Sequence, residues 1–222
     1  MRRRSRHAIA ACAVTAAALC GPAAADAATV TLDHPCYFQA TPRQKINFRG
    51  AGFRPNAQGR AQFAGQTVAG AIGFDGAFSA GGFPTPRLTR NQQRFTLSVT
   101  DGTNNVSVPV NVTKVLGDFN PSSGRPETLR VRILVQGLGA VLESLHRNPH
   151  ATVYVHYIRP NGRLKANRRL GRLSGVCGSL LTGRIRLLPY GSELGTWRVY
   201  LDTNPSYKRR EVARVSVAFT VR

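Results

Sequence analysis

Acidic residues are scarce in this chain, which contains 10 Asp and Glu against 31 Lys and Arg in 222 residues, a formal net charge of +21. So few carboxylates, scattered along the chain, do not supply the six to eight oxygen ligands of a calcium cage. The sequence also lacks a run of 18 or more apolar residues, so no segment is long enough for a transmembrane helix. Its apolar content of 42% is nevertheless too high for a disordered basic tail and indicates a folded protein.

Residues 1–27 have the pattern of a secretory signal peptide. Four arginines begin the chain, an alanine-rich apolar run follows over 8–20, and Ala25-Asp26-Ala27 offers the small residues that precede signal-peptidase cleavage. The run before Cys12 is too short for a lipoprotein signal. We therefore expect a secreted or cell-envelope protein that starts near Ala28, and its 27 basic and nine acidic residues give a net charge of +18.

Cysteine is equally scarce in the expected mature chain. Cys12 and Cys20 leave with the signal peptide, whereas Cys36 and Cys177 remain in an oxidising compartment. A disulfide between them would close a loop of 141 residues, for which chain entropy suggests about 4 to 5 kcal/mol at most. An intermolecular bridge and two buried free thiols are the alternatives at this point.

Apolar and polar residues alternate along most of the chain, which is typical of half-buried antiparallel strands. Asp101-Gly102 marks a turn between two of these segments, and Pro109 favours an edge strand. The pattern predicts an all-β fold. The alternating segments are 95–99, 106–112, 129–135, 197–201 and 215–221.

Two domains are predicted from the composition between these strands. Residues 117–126 have few apolar side chains and contain two prolines, so we interpret them as a linker. The flanking pieces, 28–116 and 127–222, each have about the size of a small β-sandwich. In the second piece, apolar residues spaced as on one helix face predict a single short helix at about 139–147.

Two glycine-rich turns suggest the type of sandwich. The segment Gly50-Ala51-Gly52-Phe53-Arg54-Pro55-Asn56, followed by Asp75-Gly76-Ala77-Phe78, resembles bacterial immunoglobulin-like modules of secreted and surface proteins. Gly195-Thr196-Trp197-Arg198-Val199 is similar to a late strand of such a module. The resemblance implies two consecutive Ig-like β-sandwich domains. It implies no particular activity, because these motifs specify backbone turns and not a reactive site.

Motifs for catalysis are incomplete. Gly175-Val176-Cys177-Gly178-Ser179 is the only candidate turn for a nucleophile, with His156 as a base, but it matches no hydrolase signature and a disulfide would consume the thiol. His146 and His150 are four residues apart, but Asn148-Pro149 interrupts the helix that would bring them together. We therefore predict no catalytic residue, metal or cofactor, and a non-catalytic structural or adhesion-type module.

The basic surplus suggests an alternative function, the binding of a polyanion such as an anionic cell-envelope polymer, an acidic polysaccharide or DNA. It is concentrated in the second half, where 117–222 contain 18 basic and six acidic residues. Only four of the 31 basic residues are lysine; an arginine bias is also what a GC-rich genome produces, so a merely solubilising surface stays open. The candidate binding residues form two clusters: Arg163, Lys165, Arg168, Arg169 and Arg172, and then Lys208, Arg209 and Arg210.

Overall fold

The computed structural model describes residues 27–40, 42–121, 125, 128–188 and 193–221. These residues form sixteen strands and one helix, and the strands make four sheets that belong to two sandwiches. The all-β prediction is confirmed. The predicted signal peptide lies outside the described residues, apart from Ala27.

The first sandwich has one three-stranded and one five-stranded sheet. The orders are β1-β3-β6 and β2-β8-β7-β4-β5, and β2 with β8 is a parallel pair, whereas the others are antiparallel. In immunoglobulin lettering the first sheet contains strands A, B and E, and the second contains G, F, C and C′ in that order. The strands are β1 (Thr29–Leu32), β2 (Cys36–Phe38), β3 (Lys45–Ala51), β4 (Gln58–Phe63), β5 (Gln66–Ala71), β6 (Phe78–Pro84), β7 (Gln92–Thr100) and β8 (Asn105–Thr113).

Strand alternation produces the core of this sandwich. Buried and exposed residues alternate strictly along β3 and β4, and aromatic side chains from both sheets, such as Phe63 and Phe83, meet between them. Pro109 is tolerated in β8 because the short β2 pairs only with Asn111–Thr113, which leaves the proline on an open stretch of edge.

The two motifs that resemble immunoglobulin-like modules are in direct contact. The backbone N–H of Phe53 donates to the carbonyl oxygen of Gly76 (3.1 Å), and the Phe53 ring is 2% exposed at the end of the core. Gly52 has a φ of 71°, which a side chain would disfavour. The N–H of Arg54 donates to Asp101 (2.7 Å). Although burial opposes ionisation of Asp101, this bond and those from Thr103 and Asn104 hold its pKa well below the usual range.

The second sandwich repeats the same topology. One sheet has β10 at its centre, paired with β9, β13 and β14, and the other has the order β12-β11-β15-β16. The second sheet is again a C′, C, F, G series, and Trp197 of β15 lies in the core between the sheets. The strands are β9 (Leu116–Asn120), β10 (Arg130–Gln136), β11 (Thr152–Ile158), β12 (Leu164–Arg172), β13 (Leu180–Leu181), β14 (Ile185–Arg186), β15 (Gly195–Asp202) and β16 (Val215–Val221).

The helix α1 (Leu138–Ser144) connects β10 to β11. It confirms the predicted short helix, although it begins one residue earlier and ends three residues sooner than the spacing suggested. Leu138 and Leu142 are buried in the second core, so these residues of the apolar face pack on the helix's own domain.

The linker expected over 117–126 differs from what the structure contains. Residues 116–120 form β9 and pair with β10 in register, with Phe119 opposite Ile133. Phe119 is 6% exposed, and its burial in the second core outweighs the polar composition around it. The chain therefore passes from β8 to β9 through Lys114 and Val115 alone. Residues 122–124 and 126 of the predicted linker lie outside the described residues.

Candidate functional site

The two sandwiches meet at a short joint. Gln136 at the end of β10 donates through Nε2 to Thr113 Oγ1 at the end of β8 (3.5 Å). Gly137 follows with a φ of 72°, and a Cβ at this position would collide with the carbonyl oxygen of Lys114. A glycine is required there because the two domains approach each other through their backbones.

A disulfide closes this joint, and it confirms the predicted pairing of Cys36 with Cys177. The S–S distance is 2.02 Å and the Cα atoms are 5.2 Å apart. Cys36 belongs to β2 of the first sandwich, whereas Cys177 lies between β12 and β13 of the second, so the bond is an interdomain bridge. Both sulfur-bearing residues are buried in a small cluster with Ala140 of α1, on which Phe38 packs.

The loop around Cys177 also caps the helix α1. The N–H groups of Gly139 and Ala140 donate to the carbonyl oxygens of Gly178 and Cys177, both at 3.2 Å, and thereby satisfy amides that a helix leaves unpaired in its first turn. A Cβ on Gly139 would lie 2.5 Å from the Cα of Gly178, so this contact depends on two glycines. Helix, disulfide and interdomain joint thus form one structural unit.

A buried group of polar residues around His156 lies on the outer face of the β12-β11-β15-β16 sheet. Val155 and Tyr157 of β11 point into the core, so His156 between them points to the opposite face. His156 is nevertheless completely buried, because the segment between β15 and β16, residues 203–214, lies over it. The ring of Tyr207 in this covering segment is 5.8 Å from the imidazole.

Both ring nitrogens of His156 have polar partners. Nε2 is 3.0 Å from Asp202 Oδ1, and Nδ1 is 2.6 Å from Asn167 Oδ1. Asp202 is fully buried, and it also accepts at Oδ2 from Nε (3.1 Å) and Nη2 (3.0 Å) of Arg214 and at Oδ1 from the N–H of Asn204 (2.9 Å). The carboxylate is therefore shared between an imidazole and a guanidinium.

Arg214 fixes the covering segment to the sheet. Its guanidinium carbon lies 4.6 Å from the ring centroid of Tyr200 and 5.1 Å from that of Tyr207, and the two rings are stacked with centroids 5.8 Å apart. The same guanidinium donates to the backbone carbonyl oxygens of Lys208 and Arg209. These contacts hold one of the predicted basic clusters against the sheet.

Glu211 holds the other end of the covering segment. Its Oε1 accepts from Nη1 of Arg147 (2.6 Å) and from the N–H of Ala213 (3.1 Å), and its Oε2 accepts from Nδ2 of Asn204 (2.6 Å). Burial opposes ionisation of Glu211, but these hydrogen bonds, that from Arg147 first, lower its pKa below the ordinary value.

The hydrogen bonds of the buried network also shift the pKa values of His156 and Asp202. Burial would lower the pKa of His156, but its bonds to Asp202 and Asn167 outweigh burial and raise the pKa. Burial would likewise raise the pKa of Asp202, whereas the bonds from His156, Asn204 and Arg214 lower it. The hydrogen bonds thus favour the protonated form of His156 and the ionised form of Asp202 beside the Arg214 guanidinium.

This network does not have the features of a catalytic site. Both nitrogens of His156 are engaged and the ring has no solvent contact, so it has no position from which to exchange a proton with a substrate. Cys177, the candidate nucleophile, is bonded to Cys36. Within the described ranges, no group of three or more His, Cys, Asp and Glu side chains could hold a metal ion. The single helix in that part of the chain, α1, is not long and apolar enough to cross a membrane.

The predicted polyanion-binding residues occupy one strand and the covering segment. Seven of the eight are exposed, and Lys165 is half-buried. Arg163 lies in the turn before β12; Lys165, Arg168, Arg169 and Arg172 lie on β12; Lys208, Arg209 and Arg210 lie in the covering segment. The hydrogen bond from His156 to Asn167 and the contact with Tyr207 connect these two places across β11.

Sequence reasoning missed the buried network and the covering segment. One signal was present, since His156 interrupts a run of apolar residues along β11. Near-continuous apolar and aromatic residues along a strand indicate that both of its faces are covered. The identities of the partners, Asp202 and Arg214, follow only from the strand order.

No family model matches the sequence, and no curated protein does. Among solved structures, the chain is similar to a tetra-tandem repeat from the extending region of a large adhesion protein, with 14% identity, a TM-score of 0.27, 88% of this chain and 49% of that chain covered. It is also similar to two tandem immunoglobulin domains of titin, with 11% identity, a TM-score of 0.29, and coverages of 86% and 94%.

A third similar structure is the BSP domain of a biofilm-associated protein, with 11% identity, a TM-score of 0.25, 86% of this chain and 29% of that chain covered. This protein thus spans about half or less of the solved chains of the adhesion protein and of the biofilm-associated protein. Likenesses this distant carry no argument about function, and the fold assignment rests on the strand order of the two sandwiches.

Proposed function

We propose that this protein is an exported, non-catalytic structural or adhesion-type module that holds two β-sandwiches in one fixed orientation outside the cytoplasm. The observation that carries the proposal is the buried Cys36–Cys177 disulfide, which joins the sandwiches beside a connection of only two residues. A single chain crossing would allow the domains to bend relative to each other. The bridge adds a second, covalent crossing.

The chemistry around the bridge supports this role. The capping bonds to α1 and the close approach of Gly139 to Gly178 place rigid elements on both sides of the bond. The buried network of the second sandwich has no exposed acid or base. The polar groups of the molecule are thus used to hold backbone segments together.

Small-angle X-ray scattering tests the fixed orientation. The oxidised protein is expected to give one narrow distribution of interatomic distances that agrees with the structure. The Cys36→Ser/Cys177→Ser variant should give a broader distribution with a larger maximum dimension, while its far-UV circular dichroism stays that of two β-sandwiches. Identical scattering from both proteins would show that the bridge does not determine the orientation.

Export is tested separately by cell fractionation and N-terminal sequencing. We expect the protein outside the cytoplasm, starting near Ala28, with its two remaining cysteines resistant to alkylation until they are reduced. A full-length cytoplasmic protein in which Cys36 and Cys177 are reactive thiols would contradict the proposal.

A further inference from the structure

The second sandwich has a face whose positive charge is not neutralised. No Asp or Glu occurs between Glu143 and Glu193, and four of the nine residues of β12 are Lys or Arg. In the part of the chain that the structure describes, the ion pairs of arginine are those of Arg147, Arg159 and Arg214. None of the cations on β12 is paired with a carboxylate there.

Strand register places part of this charge on the same side of the sheet as the covering segment. Directly opposite residues of paired strands point to the same face. Arg169 pairs with Tyr154, and Arg172 with Thr152, so both share the outer face with His156. Arg198 of β15 also lies on that face, since it pairs with Ile158. Arg168 pairs with the inward-facing Val155, so it points the other way.

We call these outer-face arginines, together with the basic triplet of the covering segment, the cationic face. From β12 to β15 it spans two strand spacings, about 10 Å. Its members are Arg169, Arg172, Arg198, Lys208, Arg209 and Arg210.

The basic triplet is held in place before any ligand arrives. Arg214 binds the carbonyl oxygens of Lys208 and Arg209, and Glu211 ties the segment to Arg147. Because this backbone is already ordered, a ligand does not have to order it on binding, which lowers the entropic cost of association.

We propose that the cationic face binds a flexible phosphodiester polymer of the polyol-phosphate type, along the direction from β12 to the covering segment. Five of its six cations are arginines, whose planar guanidinium groups bind phosphate through two parallel hydrogen bonds. The charges are spread over an open surface, which fits a ligand with repeated anionic groups.

The aromatic residues of this face favour such a polymer over single-stranded nucleic acid. Nucleobases require exposed rings as stacking platforms. Tyr200 and Tyr207 are stacked on each other and on Arg214, so both rings are already used. Tyr154 lies on the same face beside Arg169, but one ring does not make the series of platforms on which successive bases stack. The proposal goes beyond the structural role above and does not depend on the disulfide.

The test is fluorescence anisotropy with the full exported chain and labelled poly(glycerol phosphate). The logarithm of the association constant should fall linearly with the logarithm of the salt concentration. The slope should be about 0.7 per phosphate contact, the value for single-stranded polymers. Arg169→Ser/Arg209→Ser should weaken binding on the order of tenfold at moderate salt and lower the slope by about 1.4.

The chain offers two matched controls. Arg60 and Arg94 are exposed on the first sandwich, so Arg60→Ser/Arg94→Ser removes the same charge from another surface and should change binding much less. Arg168→Ser removes one charge from the same strand but from the opposite side, and should have less effect than Arg169→Ser. An equal loss in controls and face variants would overturn the proposal, as would the absence of binding at low salt.

Two further arms identify the ligand chemistry. Arg169→Lys keeps the charge but removes the planar pair of N–H donors that bind one phosphate. It should therefore weaken binding with little change in the salt slope. Hyaluronate, which carries carboxylates, and single-stranded DNA of equal charge should both bind more weakly than poly(glycerol phosphate). Equal or tighter binding of hyaluronate would refute the phosphate assignment, and tighter binding of DNA would replace it with a nucleic-acid surface.

Discussion

The interdomain disulfide should determine how the molecule responds to tension. When force is applied to the two ends of the chain, it passes from Cys36 to Cys177 through the bond and bypasses the segment between them. That segment includes β3–β8 of the first sandwich and the whole interdomain joint. In the oxidised protein, therefore, only residues before Cys36 and after Cys177 can be extended.

The length of the bypassed segment gives the size of the effect. Cys36 and Cys177 are separated by 141 residues, and at ~3.6 Å per residue this corresponds to about 500 Å of contour length. The oxidised chain should release about 200 Å, from roughly 50 residues outside the bridge. Reduction, or the Cys36→Ser/Cys177→Ser variant, should add the missing 500 Å.

Single-molecule force spectroscopy with handles at both ends measures this difference directly. The oxidised protein should show one short extension, whereas the reduced protein should show additional events that sum to the full contour length. Urea denaturation tests the contribution of the same bond to stability in solution. Loss of the bridge should lower the free energy of unfolding by about 4 to 5 kcal/mol at most. Equal contour lengths with and without reductant would refute this reasoning.

Three further predictions concern single residues. The His156 imidazole, with its pKa raised, contributes stability below pH ~6.5 that is lost as the pH rises through its folded-state pKa; an NMR titration giving a value below the ordinary one would contradict this. In thermal unfolding, Gly178→Ala should lower the stability by at least about 1 kcal/mol more than Gly175→Ala. Both glycines have a positive φ, but only a Cβ at position 178 would also collide with Gly139. Equal losses of stability would show that the close contact with Gly139 does not matter. Phe53→Ala should destabilise the first sandwich by about 3 to 5 kcal/mol, and a loss below about 1 kcal/mol would show that the ring is not part of the core.

Much of the fold could be predicted because alternation reports local geometry. The segment with valines at 106, 108, 110 and 112 is a strand, and Asp101-Gly102 is its turn, with Gly102 at a φ of 86°. The domain boundary could not be found in this way. Residues 117–120 look polar and loop-like, and only the partner strand β10 shows that Phe119 is a core residue. Pairing between strands distant in sequence is not visible in the composition of either strand.

The candidate sites could likewise be predicted from the sequence only in part. The bond between Cys36 and Cys177 could be predicted as one of three alternatives, since only these two cysteines remain if residues 1–27 are removed as a signal peptide. The positive charge of the basic clusters could be predicted from the sequence. The face of the sheet on which each residue lies could not, because a bulge between Val153 and Tyr154 shifts the register on β12. A shift of one residue moves a side chain to the other face. This is why Arg169 and Arg172, three residues apart on β12, lie on the same face, whereas uninterrupted alternation would place them on opposite faces.

The two candidate sites use polar groups in different ways, and this difference separates their expected responses to change. At the joint, the Cys177 loop holds α1 and the first sandwich through a covalent bond and backbone carbonyls, which are insensitive to salt. On the outer face, Arg214 uses its charge twice, once on Asp202 and once on the carbonyl oxygens of the covering segment. Asp202 and His156 are fully buried, so salt should screen this internal network much less than it screens the exposed arginines beside it. Raising the salt concentration should therefore release an anionic polymer while both the joint and the covering segment stay in place.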